Sequence, residues 1–283
     1  MKVGLVLEGG SMRALYSSGV LDTMMDYNIT IDGIIGVSAG ALFGPNYFSN
    51  QKGRALRYNM RFCRNWRFIS IASFLFTGNI VNKQFAYYDM TYIHDPFDEE
   101  TFKNNKKDFY VTVTNIETAQ AEYLKFVDIK EGLELLRASA ALPFFSNIVE
   151  IDGNKYLDGG ISDSVPLKKC KELGYDKIIV ILTQPKSYKK GPFKKYMMNA
   201  VKIKYHRYPR LVELMENRYI EYNKNIEYVN DLESQGDVFV FRPNKVLDIG
   251  TIERNPDHIQ EIYDLGVEDA NVRMSELIEY LEK

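Results

Sequence analysis

Apolar residues along this chain fall in short runs separated by longer stretches of helical spacing, and that alternation predicts most of the fold. Val3–Leu7 (VGLVL) and Gly33–Val37 (GIIGV) are short, mostly apolar blocks closed by glycine or a turn, as buried strands are. Further strands are expected at Phe109–Thr114, Tyr123–Phe126, Asn147–Ile151, Lys177–Leu182 and Asp237–Arg242, with a short one ending at Asp158. Helical spacing covers Ser11–Tyr27, Ala39–Ser49, Gly53–Phe62, Ile129–Ser139, Val165–Leu173, Phe193–His206, Pro209–Leu232 and Asp257–Glu282. Strands alternating with helices predict an α/β fold, with a mainly parallel sheet covered on both faces. Such sheets place their sites at the carboxyl ends of the strands.

Three glycine-marked turns stand at such ends. Gly36-Val37-Ser38-Ala39-Gly40 joins a strand to a helix start. Glycines two residues either side of the serine permit a turn tight enough to lift its hydroxyl out of the fold, so G-x-S-x-G here reads as a nucleophile elbow. Glu8-Gly9-Gly10-Ser11-Met12-Arg13 follows the first strand. Its backbone N–H groups, with a helix N-terminus behind them, suit a phosphate or an oxyanion. Neither a Walker loop nor G-x-G-x-x-G fits it. The third turn is Asp158-Gly159-Gly160, either an Asp-Gly turn closing on its own backbone or the base that takes the proton from Ser38. Asp152 and Asp163 are close in sequence and compete for that role; Asp163 also suits a cap for the helix at Val165-Pro166. A Ser-Asp-His order exists on paper with His206 or His258, but both read as surface residues, and a Ser38–Asp158 dyad is the economical reading.

These turns, with Arg137-Ala138-Ser139-Ala140-Ala141-Leu142-Pro143-Phe144-Phe145 and the continuation Ile161-Ser162-Asp163-Ser164-Val165-Pro166-Leu167, resemble the bacterial patatin-like phospholipases. The resemblance covers residues 3 to about 185 well and is weaker beyond, where Asn255-Pro256-Asp257 and Tyr263-Asp264-Leu265-Gly266 are similar to bacterial members' tails. It implies a three-layer α/β/α sandwich and a lipid acyl hydrolase that needs no metal or other cofactor. Ser38 would be the nucleophile, Asp158 the base and Gly9, Gly10 and Ser11 the oxyanion hole, with Arg13 supporting that loop. The chain departs from the family's Asp-Gly-Gly-Gly-x-Arg/Lys-Gly at Glu8, Ser11 and Ala14. Ser11 matters most, because its side chain restricts a backbone the family leaves to glycine.

Composition fits that picture. At 283 residues, 45% hydrophobic and 26% charged, the chain suits one large domain over 1–283: a core to 185, a basic segment at 186–210 and a C-terminal part at 211–283. No apolar run reaches the roughly 18 residues of a membrane span, and the first ends at Leu7, which predicts a cytoplasmic protein. Cys63 and Cys170 form no metal pattern or disulfide framework and are expected as free thiols.

Two stretches could meet lipid. Arg54, Arg57, Arg61 and Arg64 make one basic helix face, followed by Trp66 and the largely apolar Phe68–Phe76, read as either a buried helix or an acyl-pocket wall touching membrane. Residues 186–210 carry nine Lys/Arg, no Asp or Glu and interleaved tyrosines, while the whole chain is at −2. That segment is expected either to dock on anionic lipid or to lie solvated against the acidic remainder. No recognition motif points to nucleic acid. Three other functions stay open: a thioesterase or acyltransferase on the same dyad, a Ser-His-Asp esterase, and a non-catalytic membrane-binding module.

Overall fold

The structure is a computed structural model and describes residues 1–283. Eight strands form one sheet: β1 (Val3–Leu7), β2 (Gly33–Val37), β3 (Asp108–Asn115), β4 (Gln120–Lys125), β5 (Val149–Ile151), β6 (Asn154–Asp158), β7 (Lys177–Ile181) and β8 (Val238–Phe241). β3, β2, β1, β7 and β8 run parallel, side by side. β4 and β6 are antiparallel to β3, and β5 is antiparallel to β6.

The strand β3 is where the topology serves the site. β4 takes one edge of β3 from Tyr110 to Asn115. β2 pairs with Asp108–Thr112 and β6 with Val113–Asn115, so both must lie on the opposite edge. They approach along it from opposite directions. Val37 ends opposite Thr112 and Asp158 ends opposite Val113, so the carboxyl ends of the two strands abut.

The helices are α1 (Ala14–Asp26), α2 (Ala39–Phe43), α3 (Pro45–Phe48), α4 (Arg54–Phe62), α5 (Ile71–Thr77), α6 (Glu99–Asn105), α7 (Ile129–Ser139), α8 (Leu167–Glu172), α9 (Lys195–Lys204), α10 (Pro209–Gln235) and α11 (Pro256–Glu282). A π-helix spans Lys83–His94. Leu5, Leu7, Ile34, Ile179 and Phe241 face a core completed by α1, α7 and α11. Their neighbours Val6, Ile35, Ile178 and Val240 face a second core completed by α8 and α10. This period-2 division puts helices on both sides of the sheet and makes the chain a three-layer α/β/α sandwich. α1 and α11 cross at glycines: a Cβ on Gly19 would lie 2.2 Å from the Tyr263 carbonyl oxygen, and one on Gly266 2.1 Å from that of Tyr16.

Expected and observed elements agree to within a few residues, with three exceptions. The helix expected over Ala39–Ser49 is two, α2 and α3, meeting at Gly44 and Pro45; proline has no N–H to continue the ladder. The π-helix and α6 were not expected, because their apolar residues do not keep a 3.6 period. Nor is α5 the buried helix that one reading offered: Ile71, Leu75 and Phe76 are exposed and Ser73 is its one buried residue. The arginine face is corrected too. Arg54 is 6% exposed, and its guanidinium donates to the Asp95 carbonyl and to Asn46 Oδ1, whereas Arg57, Arg61 and Arg64 remain at the surface. Its aliphatic stem packs where α4 faces the fold, and its head is neutralised by Asp95. Cys63 and Cys170 are buried free thiols, as expected.

Candidate active site

Ser38 sits where β2 turns into α2, at φ 52° and ψ −123°, a conformation that L-residues rarely adopt. The turn needs its flanking glycines for space. A Cβ on Gly36 would lie 2.6 Å from Ala41 Cα, and one on Gly40 2.8 Å from the carbonyl oxygens of Leu7 and Glu8. The strained residue is braced: Ser38 N–H donates to Ser139 Oγ at 2.8 Å, and Ser139 Oγ donates to the Thr112 carbonyl at 2.7 Å. Ser139, the last residue of α7, thus ties the elbow to β3. The sequence marked its segment without giving it a task.

Asp158 arrives from the other side of the same junction. Its Oδ2 accepts from Ser38 Oγ at 2.7 Å and its Oδ1 from Gly160 N–H at 2.7 Å. The carboxyl is 4% exposed, and burial pushes its pKa above the usual carboxylate range, against the hydrogen bond from Ser38 and the nearby Arg218 charge. The competing carboxylates are elsewhere. Asp163 accepts from Val165 N–H, Tyr123 Oη and Asn225 Nδ2, and Asp152 lies in the turn between β5 and β6, at the far end of β6 from Asp158.

The first loop packs directly under Ser38, where a Cβ on Gly9 would come within 2.9 Å of Ser38 Cβ. Glu8, 4% exposed, anchors it by accepting from Thr183 N–H at 2.6 Å, Thr183 Oγ1 at 3.1 Å and Tyr222 Oη at 2.8 Å. Ser11 takes φ 53°, the left-handed region that favours glycine, so the residue that departs from the family pattern carries backbone strain. Its hydroxyl donates to the Thr251 carbonyl at 3.4 Å. Arg13 Nε is buried with no acceptor.

Two clefts of opposite character meet at Ser38. Hydrophobic residues make up 17 of the 25 lining one, among them Phe43, Phe68, Ile69, Tyr87 and Leu133, so it suits an acyl chain. Only 4 of the 17 residues lining the other are hydrophobic, and it gathers Glu8, Arg13, Asp158, Lys190 and Arg218. Ser11, Ser38, Leu142 and Thr251 border both. No histidine lines either cleft. His258 Nδ1 pairs with Glu253 at 2.7 Å, and His206, exposed, with the Ile203 carbonyl at 3.0 Å. No group of three or more His, Cys, Asp or Glu is arranged to hold a metal ion.

Lys190 and Arg218 are the residues that sequence reading missed. Lys190 was counted with the solvent-facing cations of 186–210, yet its amine lies 4.0 Å from the centre of the Tyr222 ring inside the polar cleft. Burial pushes it down to about 7, helped by Arg218 and Arg13 nearby. Nothing in a run of lysines distinguishes the one that turns inward.

The fold and this junction define the class. Residues 5–170 match the family "Patatin-like phospholipase", and the chain belongs to that family. Residues 208–282 match a second family, a domain of unknown function. Among known proteins, the uncharacterized protein YjjU of Escherichia coli strain K12 is 32% identical over 190 residues, covering 65% of this chain and 52% of YjjU. The lysophospholipase NTE1 of Coccidioides immitis is 30% identical over 189 residues, covering 63% of this chain but 11% of that much longer protein. The match therefore spans about half of the bacterial relative and a small part of the fungal one. A crystal structure of VipD from Legionella pneumophila aligns over 97% of this chain and 67% of its own, with a TM-score of 0.49 and 11% identity. No helix is long and apolar enough to cross a membrane.

Proposed function

We propose that this chain hydrolyses fatty acyl esters of lipids through an acyl-enzyme on Ser38, with Asp158 as the base. The observation that carries the reading is the 2.7 Å hydrogen bond from the strained Ser38 hydroxyl to a buried carboxylate, at the seam of an apolar and a polar cleft. Ser38 Oγ attacks the ester carbonyl as its proton passes to Asp158, and the oxyanion is held by N–H groups of Gly9, Gly10 and Ser11. Asp158 returns the proton to the departing alcohol, leaving the acyl group on Ser38. Water then attacks the acyl-enzyme while Asp158 takes its proton, which passes to Ser38 Oγ as the fatty acid leaves. A carboxylate is a weak base; burial that raises its pKa brings it nearer the task. Fluorophosphonate labelling and hydrolysis of p-nitrophenyl esters test this. Ser38→Ala and Asp158→Asn should lose both by roughly a thousandfold or more, and His258→Ala neither. Loss of activity in His258→Ala alone would overturn the dyad.

The same chain, we infer, docks on anionic lipid with α5 and α9 together. Exposed Trp66 and Phe76 stack at 6.1 Å, and Ile71 and Leu75 are exposed beside them. Phe74 packs on the exposed Phe145, Phe144 packs on Phe193, and Lys204 Nζ donates to the Pro143 carbonyl at 2.7 Å, so the two stretches form one surface. Leu142, at its inner margin, borders both clefts. Lys194, Lys195 and Lys204 add charge, each cation at an anionic leaflet contributing about 1 kcal/mol. Flotation with anionic and neutral vesicles at low salt measures it: equal binding to both would sink this reading, and Leu75→Ser with Phe76→Ser should weaken anionic-vesicle binding roughly tenfold.

A further inference from the structure

Arg13, Lys190 and Arg218 converge on the polar cleft beside Ser38, and none of them has a salt-bridge partner. Their only hydrogen bond from a charged group runs from Arg218 Nε to the Gly160 carbonyl, at 2.6 Å. Neither carboxylate in the cleft makes a salt bridge or a hydrogen bond to them. Glu8 spends its oxygens on Thr183 and Tyr222, and Asp158 on Ser38 and Gly160. The cleft thus gathers three basic groups and two carboxylates, and the Arg13 Nε is buried there with no acceptor.

Like charges brought together in a half-buried cleft repel one another and are retained at a cost unless an anion completes them. The Lys190 backbone is also fixed in place: its N–H donates to Asn223 Oδ1 and its carbonyl accepts from Asn223 Nδ2, both at 2.9 Å. Asn223, Tyr222 and Arg218 all belong to α10, within the region that matches the domain of unknown function, and Lys190 lies between the two matched regions.

We propose that Lys190 and Arg218, from the part of the chain outside the patatin-like match, form with Arg13 of the first loop a subsite for a phosphate ester group of the substrate. The proposal rests on the hydrolase reading for its orientation: with the ester at Ser38 and the acyl chain in the apolar cleft, the alcohol portion lies in the polar one. Guanidinium and ammonium donors in such a cluster suit the oxygens of a phosphate. The substrate class this favours is an acyl glycerol whose headgroup carries a phosphate close to the scissile ester, in preference to a neutral acyl glycerol.

The test compares kcat/KM for monomeric lysophosphatidylglycerol and for monoacylglycerol of the same acyl chain, in wild type and Lys190→Met. Lysophosphatidylglycerol is a phosphodiester, so its charge stays constant across neutral pH. The expected result is a preference of at least tenfold for the phosphodiester in wild type, falling at least fivefold in Lys190→Met. Equal use of the two lipids, or a preference that Lys190→Met leaves intact, overturns the subsite. Inhibition of p-nitrophenyl ester hydrolysis by glycerol 3-phosphate and by inorganic phosphate separates a headgroup site from a free-phosphate site. Stronger inhibition by glycerol 3-phosphate supports the headgroup reading, and stronger inhibition by inorganic phosphate overturns it. Calorimetry of lysophosphatidylglycerol with Ser38→Ala, with and without Lys190→Met, is independent of turnover. If wild type hydrolyses nothing but Ser38→Ala binds the lipid through Lys190, the hydrolase reading fails and the subsite stands; hydrolysis without preference fails the subsite alone.

Discussion

At the scale of single residues, the junction combines strain with burial, and each makes a prediction. Asp158 has its folded pKa raised, so its ionisation costs stability in full above the folded value, and that cost falls away as pH drops from the folded value to the unfolded one. Asp158→Asn keeps an acceptor for Gly160 N–H and removes the charge. It should therefore lose activity yet melt higher at pH 7, by about 2–4 °C for each kcal/mol recovered, with the gain over wild type shrinking as pH falls; calorimetric melts from pH 8 to 4 measure it. Ser139→Ala should do the reverse of stabilising. It strips the acceptor from Ser38 N–H and the donor from the Thr112 carbonyl, at about 1–3 kcal/mol, and lowers kcat because the elbow loses its brace. Ser11→Gly relieves a left-handed residue at the loss of one long hydrogen bond, so it should raise stability by up to about 1 kcal/mol in urea titrations and retain esterase activity. Of these residues, Ser38 and the glycines around it were legible in sequence, because a tight turn at a fixed spacing is a local requirement. Ser139 was not, because its task is defined by Thr112 and Ser38, residues distant in the chain.

Among elements, the crossing of α1 and α11 leaves no room for a side chain at either of its glycines. Both glycines there face backbone carbonyls of the other helix, which cannot swing aside as a side chain would. Gly19→Ala or Gly266→Ala should each cost about 2–3 kcal/mol by forcing the helices apart, seen as a fall in the urea midpoint with little change in slope. The elements sequence reading found were those with a clean period: apolar five-residue strands and long amphipathic helices. The π-helix escaped it because Ala86, Tyr87, Met90 and Thr91 wall the apolar cleft and answer to the cleft, not to a core-facing stripe. The run at α5 that looked like a buried helix by hydrophobicity is exposed, since hydrophobicity alone does not say which apolar segments find a partner.

For the whole molecule, we propose that residues 1–283 fold as one unit: β8 lies in the sheet beside β7, and α11 packs on α1. Removing residues 208–283 should then abolish the cooperative thermal transition, whereas a separable C-terminal unit would leave it intact. The sequence by itself determined the α/β class, the positions of most strands and the three turns, because periodicity and glycine spacing act over a few residues and need no distant partner. It also favoured Asp158 over Asp152 and Asp163 as the carboxylate beside Ser38, for the glycines that follow it, but how that carboxylate reaches the serine is a matter of tertiary structure. Two strands meeting end to end on one edge of β3 bring Asp158 to Ser38 and leave Asp152 and Asp163 elsewhere. The same holds for charge. Arg54, Lys190 and Arg218 are indistinguishable from surface cations along the chain, and only tertiary packing buries Arg54 and turns Lys190 and Arg218, half-buried, into the polar cleft, since burial is a property of what surrounds a residue in space.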